Sequence, residues 1–228
     1  MKNSSVKDET IFDLKYFKKY GSIIGLDEAG RGPLAGPVFA AAVYVENENE
    51  LKALKRIGAD SKTLSEKERE KRYNEIIKNF KYSYYAASSE LIDEMNIFKA
   101  TQYAMKKCVE QLNSGYCLID GKNFHFSFPF ECIVKGDSKL SLIGAASIIA
   151  KVLRDKYMIK LSEKYPEYLF YKHKGYPTKE HVEKIKKYGI FNEYRLTFNP
   201  VKSMIINNEI QYNKNDFSKN TLMKLGVL

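Results

Sequence analysis

The 228-residue sequence predicts a mixed α/β fold: a central mixed sheet flanked by helices, with a C-terminal helical extension. Two observations carry this. Short apolar, β-branched runs at residues 23–24, 38–45 and 116–119 have the length and composition of buried strands. Stretches of helical period lie between and after them, so strands come first and then alternate with helices. Hydrophobic residues at 44% and charged residues at 29% match a chain that buries a core. No internal repeat or clear linker is visible. The expected organisation is a leader over residues 1–20, one domain over 21–200 and a tail over 201–228.

In chain order, residues 9–20 carry an apolar edge of Ile11, Phe12, Leu14 and Phe17, and are expected to form a loosely packed amphipathic helix. A strand then ends on Asp27, inside Gly25-Leu26-Asp27-Glu28-Ala29-Gly30-Arg31-Gly32-Pro33-Leu34-Ala35-Gly36-Pro37. The glycines and prolines after the acids forbid a regular helix and force turns. Residues 38–45 read as a central strand, and Leu51, Leu54 and Ile57 as the apolar edge of a short helix. Asp60-Ser61-Lys62-Thr63-Leu64 reads as a polar turn. Ser65, with Glu68 three places on, is a capping box opening a helix to about Phe80.

Residues 82–87 make a further strand. Residues 89–112 have helical period with a break near Asn96, and Ile97, Ala100, Ala104, Cys108 and Leu112 should face inward. Strands over 116–120 and 133–137 are expected to end on Asp120 and Asp137. Residues 142–164 form the longest helix candidate, whose small-residue start, Gly144-Ala145-Ala146-Ser147, allows close packing on a sheet. A loop over 166–175 leads through Tyr176-Pro177-Thr178 into a helix over 179–188. Residues 207–220 are polar and expected to be mobile, before a last helix over 220–226.

Lys and Arg number 38 against 28 Asp and Glu, a net charge of +10. This points to a polyanionic partner, or to a lysine-rich surface that binds nothing in particular. Cys108, Cys117 and Cys132 are odd in number and lack Cys-x-x-Cys spacing, which argues against a disulfide framework or a zinc knuckle. His125, His173 and His181 fall in no metal-ligand spacing. Residues 1–20 have no signal-peptide h-region, and no apolar run is long enough to span a bilayer. The expectation is a cytoplasmic monomer.

Asp27, Glu28, Asp120 and Asp137 each fall at or just beyond a strand end. If those strands lie side by side the carboxylates converge, and such a cluster needs a compensating cation. Oxygen-only donors favour Mg²⁺ or Mn²⁺, two of which can promote phosphodiester hydrolysis. Taken singly, some of these acids are also compatible with ordinary turn aspartates. Gly30-Arg31-Gly32 can bring backbone amides close to a ligand, or can simply be a tight turn. Lys62, Lys151 and Arg154 could grip phosphates or lie on a solvated helix face. Tyr176 could stack on a sugar or base, or pack. His181 reads as structural or supporting.

The order of these motifs resembles ribonuclease HII, the bacterial type 2 ribonuclease H. The matching residues begin with the stretch 27–37 and Asp60-Ser61-Lys62, followed by Ile119-Asp120-Gly121 and Lys135-Gly136-Asp137-Ser138-Lys139. Next come Ala145-Ala146-Ser147-Ile148, Ala150-Lys151-Val152, Arg154-Asp155 and Gly175-Tyr176-Pro177-Thr178, so that the match spans roughly residues 23 to 200. The resemblance implies a ribonuclease H-like catalytic domain over 21–200. It implies cleavage of the RNA strand of RNA–DNA hybrids, and cleavage 5′ to single ribonucleotides embedded in duplex DNA, leaving 3′-OH and 5′-phosphate. It places the metal-binding acids on Asp27, Glu28, Asp120 and Asp137, 2′-OH sensing on Gly30-Arg31-Gly32, and junction recognition on Tyr176. The family's frequent His-Arg pair before Ser-Phe is replaced here by Tyr194-Arg195-Leu196-Thr197-Phe198. Type 3 ribonuclease H carries a domain ahead of the catalytic one, for which residues 1–22 are too few. A catalytically inactive nucleic-acid binder of the same fold is the alternative.

Overall fold

The computed structural model describes residues 5–57, 64–112 and 114–228, with side chains from residue 13 onward. The chain runs α1 (Ser5–Tyr20), β1 (Ile23–Ala29), β2 (Val38–Val45), α2 (Glu48–Ile57), α3 (Glu66–Asn79) and β3 (Lys81–Ala87). It continues through α4 (Ser89–Met95), α5 (Ile97–Val109), β4 (Tyr116–Asp120), β5 (Phe130–Ile133) and α6 (Ser141–Lys164). The last elements are α7 (Phe170–His173), α8 (Lys179–Tyr188), α9 (Val201–Ile206) and α10 (Lys219–Leu225). Two compact units can be recognised, one of residues 1–29, 39–85 and 102–152, the other of 30–38, 86–101 and 153–228. Among the described residues no helix is long and apolar enough to cross a membrane.

The first unit is built on the sheet, whose order is β3-β2-β1-β4-β5. β1 is antiparallel to β2 and parallel to β4, and β5 is parallel to β4. Every residue of β2 is buried, as its unbroken apolar run requires of a strand covered on both faces. β3, at the edge, has only Ser83 and Ala87 buried, and Ser83 Oγ donates to Cys108 O at 2.7 Å. A Cβ on Gly25 would lie 2.5 Å from the Leu142 carbonyl carbon, so only glycine lets α6 lie this close to β1. Ala100, Ala104 and Cys108 of α5 are buried, whereas Ile97 and Leu112 are only half-buried.

Two caps form as the local sequence predicts. The Ser65–Glu68 capping box is formed. Asn96 adopts φ 70°, and its Oδ1 accepts from the amides of Phe98 and Lys99, which separates α4 from α5. Other expectations need correction. β1 does not stop at Asp27 but stays paired with β2 to Ala29↔Phe39, so both acids lie within the strand. β5 ends at Ile133, and Asp137 lies beyond it in a 3-10 turn, Gly136–Ser138, entered through Lys135 at φ 56°. α1 is tied down rather than loose: buried Asp13 accepts from Ser141 N at 3.0 Å, and the Tyr20 and Tyr116 rings stack at 3.5 Å. A carboxylate at the first residue of α6 also complements the helix dipole. The side chains of Ile11 and Phe12, and the turn over 60–63, lie outside what the structure describes.

The second unit has its own apolar core, including Leu34, Met158, Phe170, Ile185, Tyr194 and Leu196. The stretch 166–175 is not an open loop: Pro166–Tyr168 is a 3-10 turn, α7 follows, and Tyr168, Phe170 and His173 are buried. Nor is the tail loose. Val201, Met204, Ile205, Ile210 and Leu222 enter the same core, and α10 forms one residue earlier than expected. Within 207–220 only Ile210 is buried, with Tyr212 and Phe217 half-buried against the core, and the polar average of that stretch conceals them.

Candidate active site

Register brings two of the acids together. β1 and β4 are paired to Leu26↔Ile119, and Asp27 and Asp120 are the next residue on each strand. Strand alternation points Gly25 and Asp27 to the same face. On that face Gly25 meets Leu142 and the Asp27 carboxylate is hydrogen-bonded by Ser147, both from α6. Two strand residues cover ~7 Å and five helical residues ~7.5 Å, so strand and helix advance in step. Ser147 is thus a supporting residue that sequence reasoning placed in a motif without a role.

Asp27 is buried, and its carboxyl is pushed well above the ordinary range. Burial is the main cause, and the negative charges of Glu28 and Asp120 add to it. Asp120 Oδ1 accepts from Gly136 N at 2.6 Å, which sets its carboxylate beside the residue that precedes Asp137. A Cβ on Gly136 would lie 2.6 Å from Ile143 Cδ1, so a larger residue in the turn holding Asp137 would have to push the Ile143 tip aside. Asp137 is itself buried, with Oδ1 accepting from Ser138 N at 3.0 Å. Among the described residues, no three such side chains are drawn tightly enough to hold a metal ion as they stand. The donors are nevertheless all hard oxygens, and the charges raising Asp27 are those a divalent cation would offset. The site fits a divalent metal in its chemistry.

The glycine loop belongs to the second unit. Gly30 is buried with φ +98°, whereas Arg31 and Gly32 are exposed. Arg195 is fully buried and donates to Gly30 O and Gly36 O at 2.7 Å through Nη2, and to Arg31 O at 3.0 Å through Nη1. Burial pushes its guanidinium down to about 9, the neighbouring Arg154 contributing next. Arg154, expected to grip phosphate or to lie on a solvated helix face, is buried and does neither. It is 1% exposed, it donates to Lys174 O at 2.9 Å, and its Nε lies 2.0 Å from where a Gly30 Cβ would be. Both arginines therefore support the loop from within. Arg195 had no role in the sequence reading. Its motif was the only signal, and nothing local distinguishes a buried arginine from a surface one.

Tyr176 is 43% exposed, with its ring 3.5 Å from where a Gly32 Cβ would be and 5.7 Å from the Arg154 guanidinium. Its backbone is pinned by two buried histidines. Tyr176 N donates to His173 O at 2.9 Å, and Tyr176 O accepts from His181 Nδ1 at 2.9 Å. With that proton on Nδ1, His181 Nε2 accepts from the Tyr194 hydroxyl at 3.0 Å. Lys151 is half-buried on α6, and Lys62 lies outside the described residues.

The two imidazoles stack at 4.2 Å. Burial, and next the neighbouring His173, push His181 down to about 4 from 6.5. A folded value below the unfolded one means that the neutral ring's stability is complete above 6.5 and is lost as pH falls through about 4. His181→Asn is expected to melt lower at pH 7 but to lose less stability between pH 6.5 and 4, by on the order of 1–3 kcal/mol. Melting curves across that range test this, and parallel pH profiles for both proteins would contradict it.

The family model for ribonuclease HII matches residues 24–201. A ribonuclease HII of Thermotoga maritima is 47% identical over 195 residues, covering 85% of this chain and 79% of that protein. The ribonuclease HII of Chloroherpeton thalassium is 47% identical, covering 83% and 96%. Among solved structures, the ribonuclease H2 of Pyrococcus horikoshii superposes with TM-score 0.65 at 30% identity, over 80% of this chain and 96% of that one. The ribonuclease HII of Archaeoglobus fulgidus, solved in a complex with PCNA, gives TM-score 0.67 at 26% identity, over 86% and 99%. A match that takes in the strands bearing the acids, the glycine loop and Tyr176 together places this chain in the ribonuclease HII family.

Proposed function

We infer that the chain is an endoribonuclease that hydrolyses the RNA strand of RNA–DNA hybrids. It also cleaves 5′ to single ribonucleotides in duplex DNA, leaving 3′-OH and 5′-phosphate. The observation that carries this is the family match over the acid-bearing strands, with a buried Asp27 whose proton affinity Glu28 and Asp120 raise. No observation favours a catalytically inactive binder.

Asp27, Glu28, Asp120 and Asp137 are the metal-binding and catalytic acids on this reading, and Mg²⁺ or Mn²⁺ is the metal. Two such ions, when bound, would activate a water and stabilise the leaving oxygen. The chain's own part is to hold the carboxylates. Ser147 orients Asp27 through its hydrogen bond, and the Gly136 amide orients Asp120. Gly30-Arg31-Gly32 reads the 2′-OH, the group that tells RNA from DNA. Tyr176 packs at the ribo-to-deoxyribo junction, its backbone held by His173 and His181. Lys62 and Lys151 meet phosphates, as a +10 chain would favour, and Arg154 acts from beneath the loop. The enzyme works as a cytoplasmic monomer.

The test is a gel. A labelled duplex with one ribonucleotide should be cut only with divalent metal present, and an all-DNA control should stay intact. Cutting without metal, or of all-DNA, would overturn the reading. Tyr176→Ala is expected to lower cleavage at a single ribonucleotide by about tenfold more than cleavage of a long hybrid, since a stacking contact is worth ~1–3 kcal/mol. Equal losses on both substrates would remove the junction role.

A further inference from the structure

Arg195 reaches back across 165 residues to the glycine loop and bonds its backbone rather than any side chain of it. The Arg195 amide donates to Leu34 O at 2.9 Å, Ala35 and Tyr194 form an antiparallel bridge, and Gly36 N donates to Glu193 O at 2.8 Å. This fixes the outgoing leg of the loop. The incoming leg, Gly30 and Arg31, is held by the guanidinium. Asp93 steadies the segment that carries Arg195, accepting from the amides of Leu196 and Thr197 at 2.7 and 2.9 Å.

The direction of these bonds has a consequence. In a trans peptide the carbonyl and the following N–H point opposite ways. Gly30 O and Arg31 O both face the buried guanidinium, so the N–H groups of Arg31 and Gly32 face away from it. Arg31 and Gly32 are the exposed residues of the loop. Consecutive amides turned outward make a small nest suited to a hydroxyl or anionic oxygen.

We propose that Arg195 is a positioning residue for substrate discrimination, because it orients the Gly30–Arg31 and Arg31–Gly32 peptide planes so that their amides are presented to the ligand. A buried charge is costly to retain, and lysine could not replace it. One ammonium nitrogen cannot match the planar fork that spans Gly30 O, Arg31 O and Gly36 O. The orienting role stands on the loop geometry. Its effect on substrate rests on the reading that this loop meets the sugar.

The experiment uses full-length protein carrying Asp120→Asn, so that binding is measured without cleavage. Affinities for a duplex with one ribonucleotide and for the all-DNA duplex are compared with and without Arg195→Lys. A ratio of affinities is insensitive to the fraction of protein that is folded. The preference for the ribonucleotide is expected to fall about tenfold or more, as a displaced recognition group would cause, with all-DNA affinity little changed. Amide NMR shifts of Arg31 and Gly32 in the Arg195→Lys protein should move. Arg195→Gln, which introduces no buried charge, should do the same and serves if the lysine variant does not fold. Unmoved amides with intact discrimination overturn the proposal. If the amides move but discrimination persists, or if the Asp120→Asn parent shows no preference, the orienting role stands and the sugar reading of the loop fails.

Discussion

Asp120→Asn is expected to abolish hydrolysis, lowering turnover by more than about 10³-fold while binding of the hybrid stays measurable. The variant keeps its fold for a structural reason. Asparagine retains the oxygen that accepts from Gly136 N, so the turn carrying Asp137 keeps its anchor. What disappears is the negative charge, which is also one of the causes raising the proton affinity of Asp27. The Asp27 carboxyl should therefore titrate lower in the variant, the direction that follows from removing a like charge. Single-turnover cleavage with saturating enzyme, run beside a hybrid-binding titration, separates chemistry from affinity. Native turnover in this variant would dismiss the shared-carboxylate site.

Gly30→Ala is expected to be the most damaging small substitution in the loop. A methyl there would lie 2.0 Å from Arg154 Nε and 2.4 Å from its Cδ, on a backbone at φ +98°. Arg154 cannot easily yield, because it is 1% exposed and donates to Lys174 O. Left-handed backbone costs a non-glycine residue ~1–2 kcal/mol and overpacking ~1–3 kcal/mol. A total loss on the order of 3 kcal/mol would lower Tm by roughly 6–12 °C in a chain of this length. Gly32→Ala is the control, since its Cβ would make an ordinary 3.5 Å contact with the Tyr176 ring. It should melt close to the unaltered protein. Equal melting of the two variants would show that the Gly30–Arg154 contact does not constrain the loop.

Much of this chain is legible locally. The capping box at Ser65, the break at Asn96 and the unbroken apolar run of β2 depend on residues a few places apart, and each forms as read. The acids could be singled out because adjacent carboxylates near a glycine-rich turn are poor material for a core. Their exact seats could not. Asp27 and Glu28 lie inside β1 because β2 pairs with it as far as Phe39, and Asp137 lies past β5 because a left-handed Lys135 inserts a turn.

The sequence by itself determined the order of the strands and longer helices, the alternation that makes a mixed sheet, and the residue types that chemistry would need, but neither α7 nor α9. Only the tertiary structure decided which polar groups face inward. Arg154 and Arg195 read as two more cations in a basic chain, yet both are buried beneath Gly30. His181 reads as a supporting residue from its place beside the loop, but that it and His173 together fix the backbone of Tyr176 is visible only in the fold. The physical reason is plainest at Arg195, whose charge can be buried because Gly30 O, Arg31 O and Gly36 O accept from it. Those carbonyls lie far away in sequence, so the fold and not the neighbouring residues brings them to the guanidinium.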